Sequence, residues 1–125
     1  MLKKNYIFFD FSGTLVKMRP ATLLVKRKLL VQLNKKLSLG IITGARRTET
    51  INILDKLGIL NLFQILVTAD DSKFRKPSPR LFPQVTILYY VGDTKKDDLF
   101  AKSKNIPFFR VNKKYNVNQI IRKLI

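Results

Sequence analysis

Short apolar runs at residues 6–11, 37–43, 62–68, 86–91 and 107–111 recur along the 125-residue chain, with stretches of helical spacing between them. This alternation constrains the fold more than any other feature. A short, continuous apolar run rich in β-formers suits a strand buried on both faces. Strands that alternate with helices build a parallel sheet, because each parallel connection must cross over one face. The expectation is an α/β fold: a doubly wound, Rossmann-like, five-stranded parallel sheet with helices on both faces and function at the carboxyl ends of the strands.

The intervals between the runs read as follows. Arg19-Pro20 opens a helix ending near Lys36, with Pro in the first turn and Leu23, Leu24, Leu30, Val31 and Leu33 on its apolar face. Residues 48–57 place Ile51, Leu54 and Leu57 at helical spacing, and Gly58 follows as a stop. Residues 69–79 have the composition of a loop and lead into a short helix. Residues 94–104 and 117–125 supply the last two helices. No repeat, low-complexity tract or Gly/Ser linker interrupts the chain, so residues 1–125 are expected to form a single domain.

Neither Cys nor His occurs. Disulfides, thiolate metal sites and imidazole chemistry are thereby excluded, and any catalysis rests on Asp, Glu, Lys, Ser, Thr or Tyr. An apolar fraction of 46% is that of a globular protein. No apolar stretch approaches the ~20 residues needed to cross a bilayer. The run after Lys3-Lys4 ends at Asp10, too early for a signal peptide. The expectation is a cytoplasmic protein without a membrane partner.

Twenty-five basic against 8 acidic residues give a net charge of +17. Two readings stand side by side. Scattered pairs such as Lys35-Lys36, Arg46-Arg47, Lys95-Lys96 and Lys113-Lys114 fit a compositional bias, while the field itself attracts anions, either phosphorylated small molecules or nucleic acid.

Polar signals fall just beyond the expected strand ends: Asp10 in Phe9-Asp10-Phe11-Ser12-Gly13-Thr14, Thr43 in Ile42-Thr43-Gly44, Lys76 in Arg75-Lys76-Pro77, and Asp93 with Asp97 in Gly92-Asp93-Thr94-Lys95-Lys96-Asp97. In a doubly wound sheet these converge on one crevice. A phosphate monoester repels nucleophiles, so a carboxylate attacking it needs a divalent cation and other positive groups around the phosphoryl oxygens. Asp93 and Asp97 offer the oxygen ligands that a hard cation such as Mg²⁺ prefers, beside Asp10. On this logic Asp10 would attack phosphorus in line to give an aspartyl-phosphate, Thr43 with the Gly44 N–H would bind a phosphoryl oxygen, and Lys76 would neutralise charge. Asp98 competes with Asp97 for the second metal position, and spacing favours Asp97. Thr43 as a helix N-cap and Lys76 as a solvated lysine are the bland alternatives. Asp70 and Asp71 read as loop-stabilising.

The order and placement of these residues resemble the haloacid dehalogenase (HAD) superfamily of Mg²⁺-dependent phosphohydrolases, over nearly the whole chain from Tyr6 to about Val111. Its pattern is an Asp-x-Asp-Gly-Thr loop, then Thr or Ser, then Lys, then Gly-Asp-x-x-x-Asp. The resemblance implies a phosphatase acting on a phosphorylated small metabolite. It implies Asp10, Thr43 and Lys76 as catalytic residues and Ser12, Gly13, Thr43, Gly44 and Lys76 as substrate-binding residues. Asp10, Asp93, Asp97 and the backbone carbonyl of Ser12 are the implied metal ligands.

Two departures bear on that expectation. Ser12 stands where the family has its general acid, and serine cannot act as one near neutral pH. General acid catalysis contributes about 10² to 10⁴-fold, so alkyl phosphates are expected to be poor substrates compared with acyl phosphates or anhydrides. A non-catalytic phosphate- or partner-binding domain is the alternative that Ser12 favours. The short intervals after Leu15 and after Lys76 leave no room for a cap domain, so the site is expected to be open. Capless relatives close the site by forming a homo-oligomer or act on large substrates, which keeps a nucleic-acid end phosphatase as a further alternative.

Overall fold

The computed structural model describes residues 5–125; Lys3-Lys4 lies outside them. The first described element is the central strand, β1 (Asn5–Phe9). A ribbon of β2 (Val16–Lys17) and β3 (Thr22–Leu23) follows, then α1 (Arg27–Asn34), β4 (Ser38–Ile42) and α2 (Arg47–Lys56). After β5 (Ile65–Val67) a long loop leads to β6 (Thr86–Gly92), α3 (Lys95–Lys102), β7 (Phe108–Arg110) and α4 (Val117–Leu124).

The five long-range strands form one parallel sheet in the order β5-β4-β1-β6-β7. From β1 the chain winds outward through β4 to β5, then returns to the other side of β1 for β6 and β7. The reversal leaves a switch point between β1 and β6, where a doubly wound sheet opens its crevice. The side-chain alternation of β1 divides the core. Ile7 and Phe9 face the layer holding Leu30 and Leu33 of α1, Leu54 of α2 and Ile120 and Ile121 of α4. Phe8 faces the opposite layer with Tyr90 of β6 and Phe100 and Ala101 of α3. Helices therefore cover both faces, as the apolar runs predict.

The segment from 19 to 36 differs from the expected single helix. Arg19 has φ +67°, in the left-handed region, where a helix cannot begin. Val16 pairs with Leu23 and Lys17 with Thr22, and the Leu24 N–H donates to the Leu15 carbonyl at 2.9 Å. Leu23 and Leu24 thus belong to the ribbon, and the helix is confined to α1. The short helix expected after residue 79 is a single 3₁₀ turn, Pro79–Leu81, and Leu62, the first residue of the expected third strand, ends another, Leu60–Leu62. Neither the interval from β1 to β4 nor that from β5 to β6 holds a separate domain, so no cap stands over the strand ends. Among the described residues no helix is long and apolar enough to cross a membrane.

Candidate active site

Asp10 is the first residue beyond β1, and its N–H donates to the Val91 carbonyl of β6 at 2.8 Å. This hydrogen bond carries the sheet ladder one step past the strand and fixes the carboxylate at the switch point. The chain then turns sharply at Gly13, with φ +85°. A side chain there would collide with the Asp93 carboxylate, so glycine is what lets the β1 loop close against the end of β6. The Thr14 hydroxyl reaches Asp93 Oδ1 at 3.4 Å.

β6 ends at Gly92, where a Cβ would overlap Asp97. Thr94 caps α3: its hydroxyl oxygen accepts from the Asp97 N–H at 3.2 Å, and Asp97 Oδ2 accepts from the Thr94 N–H at 3.2 Å. Asp97 Oδ2 also accepts from the Thr94 hydroxyl at 2.9 Å and from the Asp93 N–H at 3.3 Å. Its Oδ1 accepts from Lys76 Nζ and from the Tyr90 hydroxyl, both at 3.0 Å. Asp97 is therefore buried with both oxygens engaged. Asp98 turns away to pair with Lys102 along α3 at 3.3 Å. The capping geometry brings Asp97, and not Asp98, into the cluster.

Lys76 arrives from the loop before the 3₁₀ turn, with its Nζ 2.7 Å from Asp10 Oδ1. Its ammonium also sits over the Tyr90 ring, 5.4 Å from the centroid. Thr43 and Gly44, just beyond β4, line the same cavity of about 340 Å³ as Asp10, Lys76 and Asp97. Thr43 is not the cap of α2. Its Oγ1 accepts from the Ala45 N–H at 3.1 Å, which leaves the hydroxyl proton available to a ligand. Ser12 is exposed.

Electrostatics follow from this packing. Burial pushes the Asp10 carboxyl up to about 7; Lys76 opposes the shift, and Asp97 and Asp93 add to it. Burial acts in the same direction on Asp97, but the hydrogen bonds and charge supplied by Lys76, Thr94 and Tyr90 outweigh it and hold this carboxyl below the usual range. The buried Tyr90 phenol is raised well above its ordinary value by burial and by the adjacent carboxylates, so it donates as a neutral hydroxyl.

Oxygen atoms of Asp10, Asp93 and Asp97 lie within 4.8 Å of one another. Carboxylates this close, with one pushed toward protonation, form a donor set that fits a hard divalent cation. Asp97 is already saturated, so Asp10 and Asp93 carry the oxygens best placed to face an ion.

Asp70 and Asp71 serve the loop. Asp70 Oδ2 accepts from the first N–H of α2, that of Arg47, at 2.7 Å. Asp71 Oδ2 accepts from the Thr68 N–H and hydroxyl, each at 2.7 Å, and pairs with Arg47 at 2.9 Å. Sequence reasoning missed Tyr90 and Thr94. An aromatic residue in a buried strand reads as core, but Thr94-x-x-Asp97 is a legible capping signal.

The family model for haloacid dehalogenase-like hydrolases matches residues 25–111. A curated phosphoglycolate phosphatase from Salmonella typhi is 28% identical over 93 residues, which cover 68% of this chain and 37% of that protein. Among solved structures, a phosphatase from Thermococcus thioreducens superposes with a TM-score of 0.68 at 25% identity, covering 83% of this chain and 45% of the other. A HAD-superfamily hydrolase of subfamily IA from Geobacter sulfurreducens reaches 0.75 at 16% identity, covering 97% and 99%. The chain thus spans little more than a third of the curated relative and under half of the Thermococcus phosphatase.

Proposed function

This chain belongs to the haloacid dehalogenase-like hydrolase family, and on that premise we propose that it is a Mg²⁺-dependent phosphohydrolase that transfers the phosphoryl group of a small phosphorylated metabolite to Asp10. The observation that carries the reading is the convergence of four strand ends on one cavity. It joins a carboxylate nucleophile, a lysine 2.7 Å from it, a second carboxylate at Asp97 and an open hydroxyl at Thr43, with the Asp93 carboxylate within 4.8 Å of both acids. The phosphatases among its relatives support the activity.

Each residue has a role that follows from its chemistry. Asp10 and Asp93, with the Ser12 carbonyl, would hold Mg²⁺, whose positive charge would let a dianionic phosphate approach a carboxylate. Lys76 binds a phosphoryl oxygen while Asp97 and Tyr90 hold its ammonium in place. Thr43 and the Gly44 N–H bind a second oxygen. An Asp10 oxygen then forms a bond to phosphorus as the bond to the leaving oxygen breaks, giving the aspartyl-phosphate that water later cleaves. Nothing at Ser12 protonates the departing oxygen. Acyl phosphates and phosphates of acidic alcohols are therefore the substrates turned over fastest.

The test is Mg²⁺-dependent release of phosphate from acetyl phosphate and an activated aryl phosphate. Native protein should turn both over, and Asp10→Asn should abolish turnover. A folded native protein inert on both substrates contradicts the proposal. That result favours the second reading, a phosphate-binding domain without turnover, which the missing acid at Ser12 supports.

A further inference from the structure

A second and larger cleft adjoins the catalytic cavity, and the chemistry above leaves it unused. It measures about 670 Å³ and opens between the β1 loop, the end of the ribbon and the segment that follows β7. Asp93 forms one wall, and the same carboxylate lies within 4.8 Å of the carboxylates of Asp10 and Asp97. The two spaces thus lie to either side of the Asp93-Thr94 step, with Asp93 lining the larger and Thr94 the catalytic cavity.

Two features define what the cleft can hold. Its wall includes Leu24, one of the two large apolar side chains exposed among the described residues, together with buried Val117. Opposite in character stand Arg110, the last residue of β7, and Lys113. Both are exposed, and neither has a hydrogen bond or ion pair with any other described side chain. By contrast, the Arg47 guanidinium pairs with Asp71 and that of Arg75 is tied to the carbonyls of Ser72 and Phe74. An exposed apolar side chain, Leu24, and two cations without partners, in a space next to the phosphoryl site, describe a receptor for a small amphipathic anion. An arginine fork binds carboxylate or phosphate in two-point geometry.

Resting on the hydrolase reading, we propose that this cleft seats the part of the substrate that is not transferred. The substrate is then a small phosphate ester whose short carbon skeleton lies on Leu24 and whose second anionic group, carboxylate or phosphate, is held by Arg110 and Lys113. In a site with no cap, these residues supply the selectivity that the catalytic cavity lacks.

The experiment compares a short alkyl phosphate bearing a terminal carboxylate, the bisphosphate of the same length and the neutral hydroxyl isostere. It measures kcat/KM in the native protein and, with Mg²⁺, affinity by calorimetry in Asp10→Asn, which holds esters without consuming them. Native protein should favour the charged esters over the isostere by tenfold or more. Arg110→Gln and Lys113→Gln should each erase most of that ratio. Lys104→Gln, which lines a separate cleft with Thr86 at the start of β6, should leave it unchanged. The larger of the two charged preferences identifies the second anion as carboxylate or phosphate. Equal values for charged and neutral esters in both measurements, or a ratio untouched by Arg110→Gln, overturn the proposal. Selective binding in a protein that also leaves acetyl phosphate and the activated aryl phosphate intact supports the cleft while removing the hydrolase reading, so the two failures are distinguishable.

Discussion

At the scale of the single residue, the proposed mechanism makes Ser12 the residue that limits the rate. Its hydroxyl cannot surrender a proton near neutral pH, so the leaving oxygen departs unassisted. Ser12→Asp is expected to raise kcat on alkyl phosphates by at least tenfold, within the 10² to 10⁴-fold that a general acid contributes, and to leave acetyl phosphate little changed. Parallel assays of the two substrates check this; equal gains on both contradict it. Asp10 carries a different signature. Its carboxyl is raised from 3.8 to about 7. A carboxyl raised in the folded state adds stability that is complete below 3.8 and is lost as pH climbs through about 7. Asp97, held below its ordinary value, keeps its own contribution throughout that window and does not mask the trend. Metal-free protein should therefore melt progressively lower across this range. Asp10→Asn should flatten the slope, and so should added Mg²⁺, which favours the ionised form. Thermal melts with and without chelator read both effects.

At the scale of the element, the first turn of α3 joins the fold to the chemistry. Thr94 caps the helix and at the same time anchors Asp97 Oδ2, leaving Oδ1 for Lys76 and Tyr90. Losing such a cap costs about 1 kcal/mol, or roughly 3–6 °C in Tm for a chain of this size. Thr94→Ala should lose that much stability and also lower kcat, because Asp97 no longer holds the lysine. Thr94→Ser should restore both, and a variant that loses stability with kcat intact would separate the cap from the site. The strands were legible in the sequence because burial on both faces leaves a continuous apolar run, as at Ile7, Phe8 and Phe9. The ribbon was not legible. Leu23, Leu24, Leu30 and Leu33 fit a helical period, and nothing local announces that Val16 pairs with Leu23 across a reversal at Arg19. The convergence of Asp10, Thr43, Lys76, Asp93 and Asp97 was legible because strand ends in a doubly wound sheet share one edge. Spacing already favours Asp97 over Asp98, and the helix phase that the Thr94 cap imposes brings Asp97 into the cluster. The role of Tyr90 needed the position of its hydroxyl.

At the scale of the whole molecule, the order β5-β4-β1-β6-β7 makes the site a property of topology. The reversal between β1 and β6 sets Asp10 beside Asp93, and β4 and the loop after β5 bring Thr43 and Lys76 to the same edge. The net charge of +17 surrounds this acidic centre with a field that draws anions toward it. On the proposed mechanism the strand ends, the carboxylates and the lysine all serve one event, formation of a bond between Asp10 and phosphorus. The most direct measurement mixes the protein with acetyl phosphate and Mg²⁺, quenches in acid and maps the peptides by mass spectrometry. The account predicts one added phosphoryl group on the peptide containing Asp10, absent without Mg²⁺ and absent in Asp10→Asn. Phosphate released with no label at Asp10 at any quench time, or label retained in Asp10→Asn, would contradict it.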